Sequence, residues 1–132
     1  MDDFVKNRIL RKHALAVVEI LLSRCVNYVE LTEYAEYIEK QDFIDLIVER
    51  SLNNLCGNPM CGNPKVYKFK SKYSIDMPKQ KIYDNSEISK FCRLDCLQKA
   101  YSFCEISIPD TPLWTRSKCL EYLEDLNSAK QI

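Results

Sequence analysis

The stretch CGNPMCGNP, residues 56–64, contains the only two glycines in a chain of 132 residues. Each glycine directly follows a cysteine, Cys56 or Cys61, and each is followed by asparagine and proline. Glycine is favoured where the backbone takes a positive φ or passes close to other atoms, and asparagine and proline are typical of turns. The stretch therefore predicts two successive tight turns, each presenting a thiol, as in a loop that wraps around a bound group.

Length and composition predict one globular domain that spans residues 1–132. Apolar residues make up 46% of the chain and charged residues 29%, as in ordinary globular proteins. The 19 basic and 19 acidic residues cancel, so the overall charge gives no reason to expect a nucleic-acid partner. Positive charge is concentrated locally, because residues 65–81 contain six lysines and one acidic residue.

The seven cysteines call for an explanation other than disulfides. The N-terminal sequence MDDFVKNRIL begins with acidic residues and has no apolar run, so it does not resemble a secretory signal. No stretch reaches the run of about 18 apolar residues that a membrane-spanning helix requires. We therefore expect an intracellular protein with no membrane partner, whose thiols stay reduced and bind metal.

Residues 1–55 contain neither glycine nor proline and are predicted to form helices packed on one another. Apolar residues at steps of three and four favour a helix over 4–25 and, more weakly, a second over 31–39. Asp42 is the predicted cap of a third helix that runs directly into Cys56. The predicted apolar stripe of this third helix consists of Ile44, Ile47, Val48, Ser51, Leu52 and Leu55.

After the cysteine turns, the sequence changes from helical to strand-like patterns. β-branched and aromatic residues favour short strands at 66–69, 72–76 and 81–84. Helical spacing returns over 86–104. A last helix is predicted over 113–127, within a C-terminal part that comprises residues 105–132.

Two cysteine pairs have spacings that suit a single metal ion. Cys56 and Cys61 lie on the turns with C-x4-C spacing, and Cys92 and Cys96 have C-x3-C spacing within the predicted helix. Four residues make about one helical turn, so the second pair lies on one helix face. Four thiolates around one tetrahedral centre are typical of zinc and leave no open position for a catalytic water. We predict one structural zinc ion, and four separate buried thiols are the alternative.

The other cysteines, Cys25, Cys104 and Cys119, stand at apolar helical positions and are predicted to pack in the core. His13 is the only histidine and is predicted to be a surface residue. The cysteine pairs and the strand segments together predict that residues 56–104 form a zinc-binding part with short strands. The predicted fold class is mainly α with a small β segment, a helical domain that contains a zinc knuckle.

Several motifs also occur in the order found in a known family. In chain order they are Glu49-Arg50, CGNPMC, Tyr83-Asp84, FCRLDC and Pro112-x-Trp114-x-Arg116. Over residues 42–116 this series resembles the zinc-binding domain of the atypical RNA polymerase II CTD phosphatases. That family comprises regulator of transcription one of yeasts and RNA polymerase II-associated protein two of animals.

The resemblance implies a protein serine/threonine phosphatase that acts on the heptad-repeat tail of the polymerase's largest subunit. The implied partners are RNA polymerase II and its phosphorylated tail. An implied role in polymerase assembly and nuclear import places the protein in the nucleus and cytoplasm. A non-catalytic adaptor that binds the polymerase is the alternative. A zinc-knuckle nucleic-acid binder fits less well, because the chain lacks a basic excess.

The motifs of well-known phosphatase mechanisms are absent from the sequence. No cysteine begins a C-x5-R motif, no D-x-D pair occurs, and one histidine is too few for a two-metal site. The catalytic candidates are therefore Glu49 as general base, Arg50 as phosphate ligand and Tyr83 as nucleophile. The alternatives are a helix-end ion pair for the first two and a half-buried strand position for Tyr83.

Binding of phosphate or substrate is predicted for Arg116, Lys65, Lys68 and Lys70. Arginine can grip a phosphate with two parallel hydrogen bonds, and the lysines lie between the two thiol pairs, where they would attract a phosphorylated tail. A purely solvated surface position is the alternative for each of these four residues.

Overall fold

A computed structural model of the chain describes residues 2–64, 73–76 and 81–130, with side chains over 2–64 and 87–127. The helices and strands are α1 Asp3–Ser23, α2 Tyr28–Ala35, α3 Lys40–Leu52, β1 Tyr73–Asp76, β2 Lys81–Asp84, α4 Asn85–Ile88, α5 Leu94–Ser107, a 3₁₀ turn Leu113–Thr115 and α6 Ser117–Lys130. The described chain is mainly helical with one small β segment, which confirms the predicted fold class.

Helix α3 begins two residues before the predicted cap. Glu39 is its N-cap, and Asp42 accepts a hydrogen bond from the Glu39 backbone N–H at 2.8 Å, as in a capping box. Asp42 also accepts two hydrogen bonds from the Arg11 guanidinium on α1, at 2.8 and 3.0 Å. Burial is the largest single effect and opposes ionisation of Asp42, but the bonds from Arg11 and from the Glu39 N–H together lower the pKa of this carboxyl. Asp42 therefore ties α1 to the start of α3.

Helices α1 and α2 also differ from their predicted bounds. The chain leaves α1 at Arg24, which is extended, so Cys25 lies beyond the helix and is exposed. The prediction that Cys25 packs in the core was wrong, whereas Cys104 and Cys119 are buried as predicted. Helix α2 begins at Tyr28 because a capping box at Asn27 starts it.

The buried face of α3 is shifted by one residue from the predicted stripe. Its buried residues are Phe43, Leu46, Ile47, Arg50 and Ser51. Ile44 and Leu52, which the predicted stripe contains, are exposed. The core that this face helps to build includes Leu10, Ala14, Val17 and Leu21 of α1 and Leu97, Ala100 and Phe103 of α5. The shift places the charged Arg50 inside the protein.

The two described strands form an antiparallel hairpin in which Tyr73 pairs with Asp84 and Asp76 with Lys81. Both lie within segments predicted as strands. The third predicted strand, 66–69, lies outside the described residues. Helix α4 follows β2 directly.

The helix predicted over 86–104 is broken into α4 and α5. Its middle, residues 89–93, packs against the cysteine turns instead, because Gly57 donates its N–H to the Lys90 carbonyl at 2.7 Å. Cys92 consequently precedes α5, so the prediction that it lies within a helix was wrong, while Cys96 occupies the first turn of α5. Tertiary hydrogen bonds replace the helical ones in this segment.

His13 was predicted to be a surface residue, but its side chain packs against two aromatic rings. Its ring is half-buried, stacks on Tyr122 at a centroid distance of 4.1 Å and meets the edge of Tyr37 at 4.9 Å. Burial lowers the pKa of His13 from its ordinary value. Over the described part of the chain, no helix combines the length and apolar character needed to cross a membrane.

Candidate metal centre

The cysteine turns, residues 56–64, form a small loop that we call the knuckle. Asn54 takes a left-handed backbone conformation, with φ 61°, and turns the chain out of α3. The two ends of the knuckle are then joined by a bridge between Leu55 and Pro64 and by a 2.9 Å hydrogen bond from Cys56 N–H to the Asn63 carbonyl. These backbone contacts present the two knuckle thiols on one side of the loop.

The four predicted ligands lie together. The sulfur atoms of Cys56, Cys61, Cys92 and Cys96 are all within 4.8 Å of one another. Cys92 Sγ lies 3.7 Å from Cys61 Sγ and 3.5 Å from Cys96 Sγ. Metal–sulfur bonds of about 2.3 Å in a tetrahedron place sulfurs roughly 3.8 Å apart. The four thiols therefore fit one tetrahedral metal ion.

Hydrogen bonds to the thiols favour their deprotonated, metal-binding form. The Cys92 backbone N–H points at Cys56 Sγ, 3.3 Å away. Burial raises the pKa of Cys61, but the Asn63 N–H and neighbouring thiols outweigh it and the pKa is lowered. For Cys56, burial dominates and raises the pKa despite bonds from the Cys92 and Asn58 backbone. Such donors around a metal site orient the ligands and stabilise their negative charge.

The two knuckle glycines have different roles, although neither has a positive φ. A Cβ on Gly57 would lie 2.8 Å from Ile47 Cγ2, 3.0 Å from the Lys90 carbonyl oxygen and 3.1 Å from Phe91 Cε1. A Cβ on Gly62 would lie 3.6 Å from Cys25 Cβ, an ordinary contact. Gly57 therefore allows the knuckle to approach α3 and the 89–93 segment closely.

We expect Gly57→Ala to lower the free energy of unfolding by about 2 kcal/mol, because the added methyl group overpacks a rigid contact. Gly62→Ala is the matched control and should change it by less than about 0.5 kcal/mol. Urea denaturation of the two zinc-loaded variants measures both values. Equal losses at the two positions would contradict the assigned roles.

Arg50 does not stand where a substrate phosphate can reach it. It is 1% exposed and donates to four backbone carbonyls: Leu21 at 2.6 Å, Arg24 at 3.0 Å, Cys56 at 2.9 Å and Cys61 at 3.0 Å. The predicted phosphate contact is therefore not supported, because the guanidinium is occupied and enclosed.

The prediction that Arg116 contacts phosphate is not supported either. Arg116 is 5% exposed, and its guanidinium donates to backbone carbonyls at the end of α2 and in the loop before the 3₁₀ turn. The acceptors are the carbonyl oxygens of Ala35, Glu36, Ile38, Pro109 and Thr111. Arg116 is a structural clamp and does not face a substrate.

The other candidate residues remain predictions. Glu49 is exposed near the end of α3. Tyr83 belongs to β2, but its side chain lies outside the described residues, as do Lys65, Lys68 and Lys70. The structure thus brings together the four cysteines and Arg50. Sequence reasoning missed the burial of Arg50, because its spacing of three from Ile47 and seven from Phe43 places it on the buried face only once the inward face of α3 is known.

A family model described as the Rtr1/RPAP2 family matches residues 36–106, more than half of the chain and all four clustered cysteines. The chain belongs to the Rtr1/RPAP2 family. This confirms the resemblance that the sequence motifs indicated. The RPAP2 homolog of Drosophila melanogaster is 34% identical over 114 residues, which cover 86% of this chain and 79% of that relative.

Other Rtr1/RPAP2 relatives are much longer than the matched region. The RNA polymerase II subunit B1 CTD phosphatase Rpap2 of Rattus norvegicus is 35% identical over 107 residues, 81% of this chain but 17% of its own length. The crystal structure of transcription regulator protein Rtr1 from Kluyveromyces lactis has a TM-score of 0.62 at 18% identity, over 82% of this chain and 70% of that one. At that identity the structural likeness shows a shared fold only.

Proposed function

We propose that this chain is a phosphatase domain that removes phosphate from serines in the C-terminal tail of RNA polymerase II subunit B1. The observation that carries the proposal is its membership in the Rtr1/RPAP2 family, together with the intact four-cysteine cluster. The rat relative, 35% identical, is named an RNA polymerase II subunit B1 CTD phosphatase. The polymerase and its phosphorylated tail are accordingly the proposed partners, and the nucleus and cytoplasm the proposed locations.

We propose zinc as the ion held by Cys56, Cys61, Cys92 and Cys96. An all-thiolate tetrahedral set selects zinc among the common divalent ions, and four protein ligands leave no position for substrate or water. The ion would then cross-link the knuckle to the start of α5 and supply no reaction chemistry. The chain's own side chains must provide the catalytic groups.

Two chemical routes use the remaining candidates. In the first, Glu49 takes a proton from a water molecule, whose oxygen attacks phosphorus while the serine oxygen leaves. In the second, Glu49 takes the proton of the Tyr83 hydroxyl, whose oxygen attacks phosphorus while the serine oxygen leaves and takes that proton back from Glu49. Water then hydrolyses the phosphotyrosine, which releases phosphate and restores the tyrosine. The second route requires a Tyr83 pKa below its ordinary value of about 10. Because Arg50 and Arg116 are enclosed, Lys65, Lys68 and Lys70 are the proposed contacts to the phosphate.

Release of phosphate from a serine-phosphorylated tail peptide by purified, zinc-loaded protein tests the proposal. Glu49→Gln should lower kcat by at least about a hundredfold, while Asp45→Asn, an exposed acid on the same helix, should not. Tyr83→Phe should also lower kcat by at least about a hundredfold if the tyrosine is the nucleophile. Tyr73→Phe on the neighbouring strand is its control and should leave kcat unchanged. Unchanged kcat in Glu49→Gln would overturn the site.

The absence of phosphate release by protein that still binds the polymerase would overturn the phosphatase proposal. It would favour a non-catalytic adaptor instead. A pull-down of the polymerase by the same preparation, performed beside the phosphate assay, separates this result from inactive protein.

A further inference from the structure

We propose that Arg50 is a positioning residue of the metal centre, which locks the knuckle in its metal-binding shape and balances the charge of the thiolates. The inference rests on the proposed zinc occupancy and is independent of phosphatase activity. Two of the four acceptors of Arg50 are the carbonyls of Cys56 and Cys61, themselves candidate metal ligands. One guanidinium thus holds the backbone of both knuckle ligands at once.

A buried guanidinium needs negative charge nearby, since an isolated buried cation is very costly. Among the described side chains, no carboxylate forms an ion pair with Arg50. The guanidinium bonds instead to the backbone carbonyls of Cys56 and Cys61, which places it beside the four-cysteine cluster. The thiolates of a metal-loaded cluster would supply the negative charge that the buried guanidinium needs.

The end of α1 supplies the remaining compensation. The carbonyls of Leu21 and Arg24 lie at the C-terminal end of that helix, where the helix dipole is negative. Arg50 consequently connects three elements: the end of α1, its own helix α3, and the knuckle. A Zn²⁺ ion with four thiolates carries net negative charge, so the buried cation favours the metal-loaded, thiolate form of the site.

Arg116 provides a matched comparison inside the same protein. It is also buried and also donates to several backbone carbonyls, including those at the end of α2. Its charge acts on Cys119 and Asp42, neither of which belongs to the four-cysteine cluster. Substitution of Arg116 therefore removes a buried arginine clamp without touching the metal centre.

The test is the zinc affinity of the full chain, measured by competition with a chelating indicator. Arg50→Gln should weaken zinc binding by about tenfold to a hundredfold, the usual effect of removing an outer partner of metal ligands. Arg50→Lys keeps the charge but cannot span both carbonyls, so we expect an intermediate loss. Because metal-free protein is expected to unfold, loss of Arg116 also lowers the apparent affinity through stability. Arg116→Gln and Arg116→Lys should nevertheless leave the rate of zinc release from the folded, zinc-loaded protein within about twofold of the wild type.

The rate at which the zinc-loaded, folded proteins release zinc is the second measurement. This rate is measured on protein that is already folded, so it does not require the metal-free variants to fold. If zinc-loaded Arg50→Gln cannot be prepared, Arg50→Lys is compared with the wild type instead. Wild-type release rates in both Arg50 variants would overturn the proposal, as would equally faster zinc release from the Arg116 variants. A wild-type chain that takes up no zinc would overturn the metal assignment itself, separately from any result on phosphatase activity.

Discussion

Removal of zinc is expected to unfold most of the protein. Structural zinc sites contribute roughly 10 kcal/mol of apparent binding free energy, about as much as the whole net stability of a domain of this size. Without the ion, the cross-link between the knuckle and α5 is lost. The helical signal in far-ultraviolet circular dichroism should fall on addition of a strong chelator and return with one equivalent of zinc.

Serine substitutions at the cysteines provide the control for this prediction. Cys92→Ser removes one ligand and should reproduce the effect of the chelator. Cys25→Ser removes an exposed thiol outside the four-cysteine cluster and should retain full zinc content. Elemental analysis of each purified variant gives the stoichiometry. A wild-type protein that keeps its circular dichroism spectrum after complete removal of metal would contradict the structural role.

Substitution Arg116→Met should lower the free energy of unfolding by about 3 kcal/mol or more. The change leaves buried carbonyls at the end of α2 and at Pro109 and Thr111 without their donor, and each unsatisfied group costs about 1–3 kcal/mol. Urea denaturation of the zinc-loaded protein measures the loss.

The matched control for Arg116→Met is Arg8→Met on α1. Arg8 is exposed, so its loss should change stability by no more than about 0.5 kcal/mol. A loss below about 1 kcal/mol in Arg116→Met would show that water or neighbouring donors replace the guanidinium. The role of Arg116 as the clamp between α2 and the 109–111 loop would then be wrong.

Local patterns sufficed for the helical character, the hairpin strands and the metal ligands. Cysteine spacing, glycine and turn residues act within a few positions of one another, so a short window of sequence contains the information. The shared cluster of Cys56, Cys61, Cys92 and Cys96 follows from chemistry as well, because two thiol pairs at these spacings suit one tetrahedral metal ion.

Local patterns could not predict the burial and the hydrogen-bond partners of Arg50 and Arg116. Arginine is usually exposed, so Arg50 and Arg116 were natural candidates for phosphate contacts. Both are enclosed because helix ends remote in sequence offer carbonyls to them: Leu21 and Arg24 to Arg50, and Ala35 to Arg116. A guanidinium matches such a set of acceptors only when packing has already brought them together.

Residue types and spacings were thus enough to specify a mainly helical domain of this family with a cluster of four cysteines, because turns, helix stripes and cysteine spacings are properties of neighbouring residues. Packing alone settled which face of α3 points inward, why the helix predicted over 86–104 breaks before Cys92, and why two arginines serve the backbone. Each of those outcomes depends on hydrogen bonds between segments far apart in the chain, whose geometry no local pattern contains.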